Sequence, residues 1–181
     1  MENNKTVSMV KHFYTFRLGG YHIALPGDHR QKVIQHDLLK NNNPLPFLVK
    51  FIYNNGVESF PVIDTRLKLG MSAFDGSEET CIFIENYSVS NDKTFKIGLL
   101  MNKYLGYYPV KPQEVQFWPN GVMDDFNDFI SGICRINDRD HLMLSLQNIF
   151  RNEEIEEFYD LHKRNMIENS YIPVYDNHSL M

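Results

Sequence analysis

The residue types best able to do chemistry in this chain are few and poorly spaced for it. His22, His29 and His36 recur every seven residues, which invites a metal reading. Pro26-Gly27 interrupts any helix that would align them, and strands would scatter them, so they read as exposed or locally bonded histidines. Asp124, Asp125 and Asp128 could gather a cation or supply paired carboxylates. Their spacing departs from a calcium loop, which alternates oxygen ligands around a glycine and ends in a glutamate; 120–128 reads as a solvated acidic loop. Ser, His and Asp all occur, but without a Gly-x-Ser-x-Gly elbow, a P-loop or a dinucleotide fingerprint. Cys81 and Cys134 lie in apolar, strand-like surroundings with no CxxC or Cys/His spacing, and read as buried, reduced core residues. No cofactor and no metal is called for. A triad assembled only in space, in a small β-barrel enzyme with a cleft between its halves, stays as an alternative.

The totals narrow the class. A chain of 181 residues with 43% apolar content can bury one ordinary core or two small ones sharing a core. Its 18 basic and 23 acidic residues give a formal charge of −5, which argues against broad nucleic-acid or anionic-membrane binding. No apolar run approaches the roughly 20 residues of a membrane helix, and residues 1–12 hold no signal-peptide core, so a cytoplasmic location is expected.

The elements that would position any site are mostly strands. The run from Gly56 to Gly70 packs a turn, a strand and a capped helix into one stretch: Asn55-Gly56 turns, Phe60-Pro61-Val62-Ile63 is strand-forming, Asp64 can cap a helix, and Gly70 can end it. Pro61 predicts an edge position or a strand start. Leu142-Met143-Leu144 followed by Ser145 and Leu146 to Phe150 repeats strand and short capped helix. Tyr14, Phe16, Leu18 and Tyr21, Ile23, Leu25 alternate across Gly19-Gly20 as a hairpin, and Val33-Ile34 is a short strand. Cys81 to Glu85 and Phe95 to Met101 predict a second hairpin around a polar insertion at 86–93. Residues 111–120 read as irregular, anchored by Trp118. Phe129 to Ile136 and Leu142 to Leu146 predict the last hairpin. Four glutamates within 153–157 and basic residues at 163–164 suit a helix dipole, with Ile155, Phe158 or Tyr159, His162 and Met166 on one face, predicting a helix of about four turns that docks across its own barrels or onto a partner. Phe117, Trp118, Phe126 and Phe129 would cover the bottom of the second barrel, or form a partner patch.

In this order the pieces resemble the CheW family, the adaptors joining chemoreceptors to the histidine kinase CheA. The resemblance spans roughly 13–150. It rests on Phe-x-Leu-Gly at Phe16 to Gly19, Leu-Pro-Phe at Leu45 to Phe47, Pro-Val-Ile-Asp-x-Arg at Pro61 to Arg66, Ile97-Gly98, and Phe-Ile-x-Gly at Phe129 to Gly132. It implies a mainly β fold of two packed five-stranded SH3-like barrels with short helices and a C-terminal helix. The expected division is 1–12 as a flexible N-terminus, 13–75 and 76–150 as two intertwined barrel subdomains, and 151–181 as helix and tail. It also implies no chemistry: the partners would be a CheA-type kinase regulatory domain and a chemoreceptor cytoplasmic tip lying in the groove between the barrels.

Three departures bear on binding. Where the family has Val-x-Glu-Val/Ile, this chain has Arg30, Gln31, Lys32 and Val33, so an acidic position has become basic. The Asn-Leu-Arg-Gly turn appears as Tyr53-Asn54-Asn55-Gly56 with one extra residue before Pro61, so the arginine maps to Asn55 or Gly56 and is gone. Asn102 stands where an aspartate is frequent. The expected partner-facing residues are Arg30, Lys32, Val33, Asn55 and Gly56, with Val33 as the apolar anchor. A CheW-like scaffold for a different receptor array or regulator is the alternative that keeps the fold.

Overall fold

The alternating apolar runs become strands in a computed structural model that describes residues 10–27, 32–35, 45–75, 77–90, 93–118 and 129–170. Lys11–Leu18 (β1) and Tyr21–Pro26 (β2) make the first hairpin, followed by Lys32–Gln35 (β3), Val49–Asn54 (β4) and Ser59–Asp64 (β5). Asp64 Oδ1 then accepts from Leu67 N at 3.1 Å and caps the single-turn helix Thr65–Lys68 (α1). The second half runs Cys81–Ser90 (β6), Lys93–Met101 (β7), Lys103–Val110 (β8), Val115–Phe117 (β9), Ile130–Ile136 (β10), Arg139–Leu144 (β11) and Asn152–Ser170 (α2). Asn137 and Asp138, both at positive φ (50° and 59°), supply the two-residue turn between β10 and β11.

The strands form two curled sheets, ordered β8-β1-β2-β11-β10-β9 and β3-β6-β7-β5-β4. They are not shared out along the two halves 13–75 and 76–150. The sequence repeat is present, but its parts are exchanged. In each half a hairpin (β1-β2 or β6-β7) pairs through its first strand, antiparallel, with a strand of the other half: β8 with β1, β3 with β6. The closing hairpin of each half joins the other half's first hairpin in parallel: β5 beside β7, β11 beside β2. Even the bulges correspond, at Val49/Phe51 in β4 and Ile130/Gly132 in β10. Local periodicity reports hairpins and is silent on which distant hairpin completes each sheet.

Several boundaries also differ from expectation. The insertion at 86–93 is mostly strand, because β6 and β7 stay paired from Cys81↔Met101 out to Ser90↔Lys93. β8 was hidden by Pro109, which an edge strand tolerates, and β9 occupies a stretch expected to be irregular. Pro61 sits where β5 pairs only with β4, one residue before its parallel ladder with β7 begins at Val62↔Gly98. The second short helix does not form: after Ser145 the chain makes turns, with Asn148 N and Ile149 N on Ser145 O at 3.1 and 3.0 Å. Ile149 and Phe150 are buried in the core instead.

Two glycines of the family-like motifs are framework positions. A Cβ on Gly98 would lie 2.6 Å from Ile82 Cγ2, and one on Gly132 would lie 2.1 Å from Gln116 O, where β9 crosses close to β10. Gly132 marks a close backbone approach, whereas Gly98 makes room for the side chains of Ile82, Phe60 and Val62 packed over it.

The main core unites both sheets, with Phe16, Phe60, Phe83, Ile97 and Leu99 wholly buried, and a smaller one of Phe13, Ala24, Val110, Cys134, Ile136 and Met143 backs the six-stranded sheet. α2, longer than expected, docks on the five-stranded sheet, against β5, β6 and β7: Phe158 is fully buried, meets Phe150 edge-on at 5.3 Å, and Tyr159 meets Phe95 at 5.5 Å. Its first turn is fastened by Glu154, whose carboxylate receives Lys68 Nζ at 2.7 and 2.8 Å between the rings of Phe129 and Phe150. Farther along, His162 Nδ1 lies 3.0 Å from Ser59 O, so α2 runs antiparallel to β5.

Candidate partner-binding surface

The two sheets meet where β1 faces β6, and the contact is aromatic. Phe83 of β6 stands edge-on to Tyr14 (5.3 Å) and Phe16 (5.7 Å) of β1. The neighbouring strand on each side is an edge strand. On β3, Val33 pairs with Phe83; on β8, Tyr107 pairs with Tyr14 and Tyr104 with Phe16. Val33, Tyr104 and Tyr107 are each half-buried against the main core. Tyr107 also lies 4.5 Å from the Tyr14 ring and stacks on His12 at 5.2 Å. The seam is thus flanked by an aliphatic strand on one side and a tyrosine-rich strand on the other, a surface suited to apolar anchors. Tyrosines of β8 were not singled out from the sequence; the repeat, in which β8 takes the role of β3, is the signal that could have found them.

Of the expected site residues, Val33 lies on this seam and Lys32 is exposed beside it. Arg30 lies outside the described residues. Asn55 and Gly56 are elsewhere, in the β4–β5 turn, and β4 is the opposite edge of the sheet from β3. The turn is closed on itself by asparagine side chains. Asn54 Oδ1 accepts from Gly56 N at 2.9 Å, and Asn55 Oδ1 accepts from Val57 N and Glu58 N at 3.0 and 2.9 Å. Asn55 therefore shapes the turn, and the side chain the turn presents outward is Val57, 94% exposed, which sequence reading passed over. Glu58 is held by Lys96. Of the aromatic patch expected near 117–129, Phe117 is exposed beneath Lys11, Trp118 and Phe129 pack on the core, and Phe126 lies outside the described residues.

Beside the seam a cleft of about 370 Å³ is lined by Arg17, Gly19, Arg66, Glu78, Glu79, Asn102 and Lys103. Its groups are mutually engaged. Asn102 Oδ1 accepts from Gly19 N, its Nδ2 donates to Glu78 Oε2 at 2.8 Å, and Arg66 Nη1 reaches the same carboxylate oxygen at 2.6 Å. Asp64, wholly buried, takes Phe74 N on its second oxygen at 3.0 Å, with Lys50 Nζ at 3.8 Å.

Both cysteines are free and buried, and burial pushes each thiol up to about 12. Burial, then neighbouring Tyr108, Cys81 and Tyr107, raises the Tyr104 hydroxyl. Among the described residues no group of three His, Cys, Asp or Glu could hold a metal, and no helix is long and apolar enough to cross a membrane.

Comparison with known proteins agrees with this architecture. The family described as CheW-like domain matches residues 12–154. Among solved structures, the scaffolding protein TtCheW from Thermoanaerobacter tengcongensis is similar at 22% identity, covering 79% of this chain and 94% of that one, with a TM-score of 0.63. No curated protein matches the chain. A family match across the two exchanged sheets, together with this likeness of fold, places the chain in the CheW family of scaffold and adaptor proteins.

Proposed function

We propose that the chain is a non-enzymatic chemotaxis adaptor that couples chemoreceptors to a CheA-type histidine kinase, working at the cytoplasmic face of a receptor array. The observation that carries this reading is the seam, where half-buried Val33 and Tyr107 flank the Tyr14–Phe83 contact and leave apolar and aromatic edges for a helical receptor tip. Its mechanism is positional: the adaptor holds kinase and receptor in register, and a few buried apolar anchors supply the affinity. Lys32 and Val33 on β3 face a partner, as does Arg30 in the adjoining segment; the Asn55-Gly56 turn contributes its shape and Val57 its apolar contact. The two barrel subdomains act as one body built from exchanged hairpins. Calorimetry with the regulatory domain of a CheA from the same organism, at two salt concentrations, tests the reading. Micromolar or tighter binding supports it, and no binding by folded protein overturns the kinase assignment.

A specific observation favours a second reading, a CheW-like scaffold for a different receptor array or regulator. The β4–β5 turn carries no arginine, its asparagine side-chain oxygens are bonded back onto the turn, and apolar Val57 stands 94% exposed on it. A partner evolved against an arginine turn would find no arginine there, and the turn's own charged side chain, Glu58, is an anion paired with Lys96.

A further inference from the structure

The six-stranded sheet is closed by one short seam, the parallel pairing of β2 with β11 at Ile23↔Leu142 and Ala24↔Met143. At the end of that seam His22 and His141 lie with ring centroids 5.4 Å apart. Arg139 Nη1 is 2.9 Å from His22 Nε2, and His141 Nδ1 is 3.0 Å from Arg139 O. A guanidinium can only donate, so His22 Nε2 accepts and that ring is neutral, with its proton on Nδ1. His22 Nδ1 is buried without a partner, and His141 is 5% exposed.

We propose that His22, His141 and Arg139 form an acid-sensitive latch on the β2–β11 seam. A proton arriving at His22 Nε2 turns the acceptor into a donor facing a guanidinium, so the bond to Arg139 is lost and two positive charges oppose each other. A second proton on His141 places a charge on a buried ring beside the first. The surroundings sharpen the effect. Arg17 of β1 stands opposite His22, Lys103 of β8 stands opposite Arg17, and Cys134 of β10, a neutral thiol, stands opposite His141. Asp140, the carboxylate next in sequence, is occupied by Arg135 Nε and Nη2 at 2.9 and 3.2 Å. Burial, followed by the charges of His141, Arg139 and Arg17, draws His22 below its ordinary value, and burial draws His141 down as well. The bond to Arg139 holds the His22 ring neutral, and burial makes both rings resist protonation until the seam loosens.

The latch does not depend on which partner the adaptor binds. The test is amide exchange in the full chain between pH 7.5 and 5.5, corrected for intrinsic rates, comparing Ile23, Ala24, Leu142 and Met143 with Ile82 and Leu100 of the β6–β7 hairpin. The expected result is a tenfold or greater loss of seam protection relative to the hairpin on acidification, abolished in H22Q/H141Q, where glutamine still accepts from Arg139 but takes no proton. An unchanged seam-to-hairpin ratio overturns the proposal, as does the same loss in the double variant. Should that variant not fold, NMR titration of the unmodified histidines decides: midpoints below about 6.5 support the latch, and midpoints at or above it overturn it.

Discussion

Asn102 Oδ1 accepts a 2.7 Å hydrogen bond from the backbone nitrogen of Gly19, which ties the link between β7 and β8 to the turn between β1 and β2. Because β7 belongs to one sheet and β8 to the other, this bond sits on a crossover between sheets. The same amide also donates to Glu78, so one side chain fastens three segments.

Asn102→Asp should therefore destabilise the protein although an aspartate is frequent there in the family. The aspartate still accepts from Gly19 but sets a second carboxylate against Glu78, whose bonded cation is Arg66. Glu78 is partly solvated, at 35% side-chain exposure, so the expected loss is about 1 kcal/mol at pH 7, shrinking as pH falls and a carboxylate is protonated. Urea unfolding at pH 7 and pH 4.5 checks it; equal losses at both would show that repulsion is not the cause.

Gly98→Ala should cost about 1–3 kcal/mol, since its methyl group meets Ile82, Phe60 and Val62 at 2.6 to 3.1 Å in the β5–β7 ladder. Gly132→Ala should instead release β9 locally, because the obstruction is the Gln116 carbonyl. Amide exchange at Val115 to Phe117 separates the two outcomes from global denaturation.

Lys68→Met leaves the largely buried carboxylate of Glu154 with only the exposed Arg151, whose Nη2 lies 3.9 Å away, as a cation. Side-chain exposures of 6% and 15% for the pair put the expected cost near 3 kcal/mol or above. Limited proteolysis should then cut within α2, whereas the double variant K68M/E154L should restore much of the resistance. If the double variant is no better than the single one, loss of packing by the lysine stem explains the effect.

His162 carries a pH dependence of helix docking. Burial lowers its pKa, only partly countered by its bond to Ser59 O. A depressed histidine contributes stability that is present above the unfolded value near 6.5 and is lost as pH falls through the folded one. Protection of α2 amides should drop between pH 7 and 5.5 and become flat in H162Q, which keeps a donor for Ser59 O. A drop of the same size in H162Q would assign it elsewhere.

Val33→Asp and Tyr107→Ala should each weaken partner binding about tenfold or more with the fold intact, since both flank the same aromatic seam. Val57→Asp is the discriminating third variant. If it weakens kinase-domain binding while the first two weaken receptor binding, the receptor sits at the seam between the sheets and the kinase at the far, β4 edge of the five-stranded sheet.

What the sequence made legible was the framework. Asp64 and Gly132 belong to motifs visible in the sequence, and they proved to serve a helix cap and a close backbone approach, while Gly98 leaves space for packed side chains. The binding surface was less legible, because its residues are ordinary strand formers whose meaning comes from pairing. Tyr104 and Tyr107 matter through their opposite numbers on β1, and Val57 through the inward turn of Asn54 and Asn55. The exchange of hairpins was invisible to local periodicity, which is identical whether β2 closes against β5 or against β11.

That exchange sets a schedule for synthesis. A ribosome that has released only residues 1–75 has released β1 and β2 without β8 or β11, and β4 and β5 without β7, so neither sheet can close until the second repeat emerges. The chain must carry its apolar hairpins open for half its translation. The same interlock means that two separately expressed pieces, broken between Asp75 and Ser77, have no finished barrel to fold into alone and every reason to find each other.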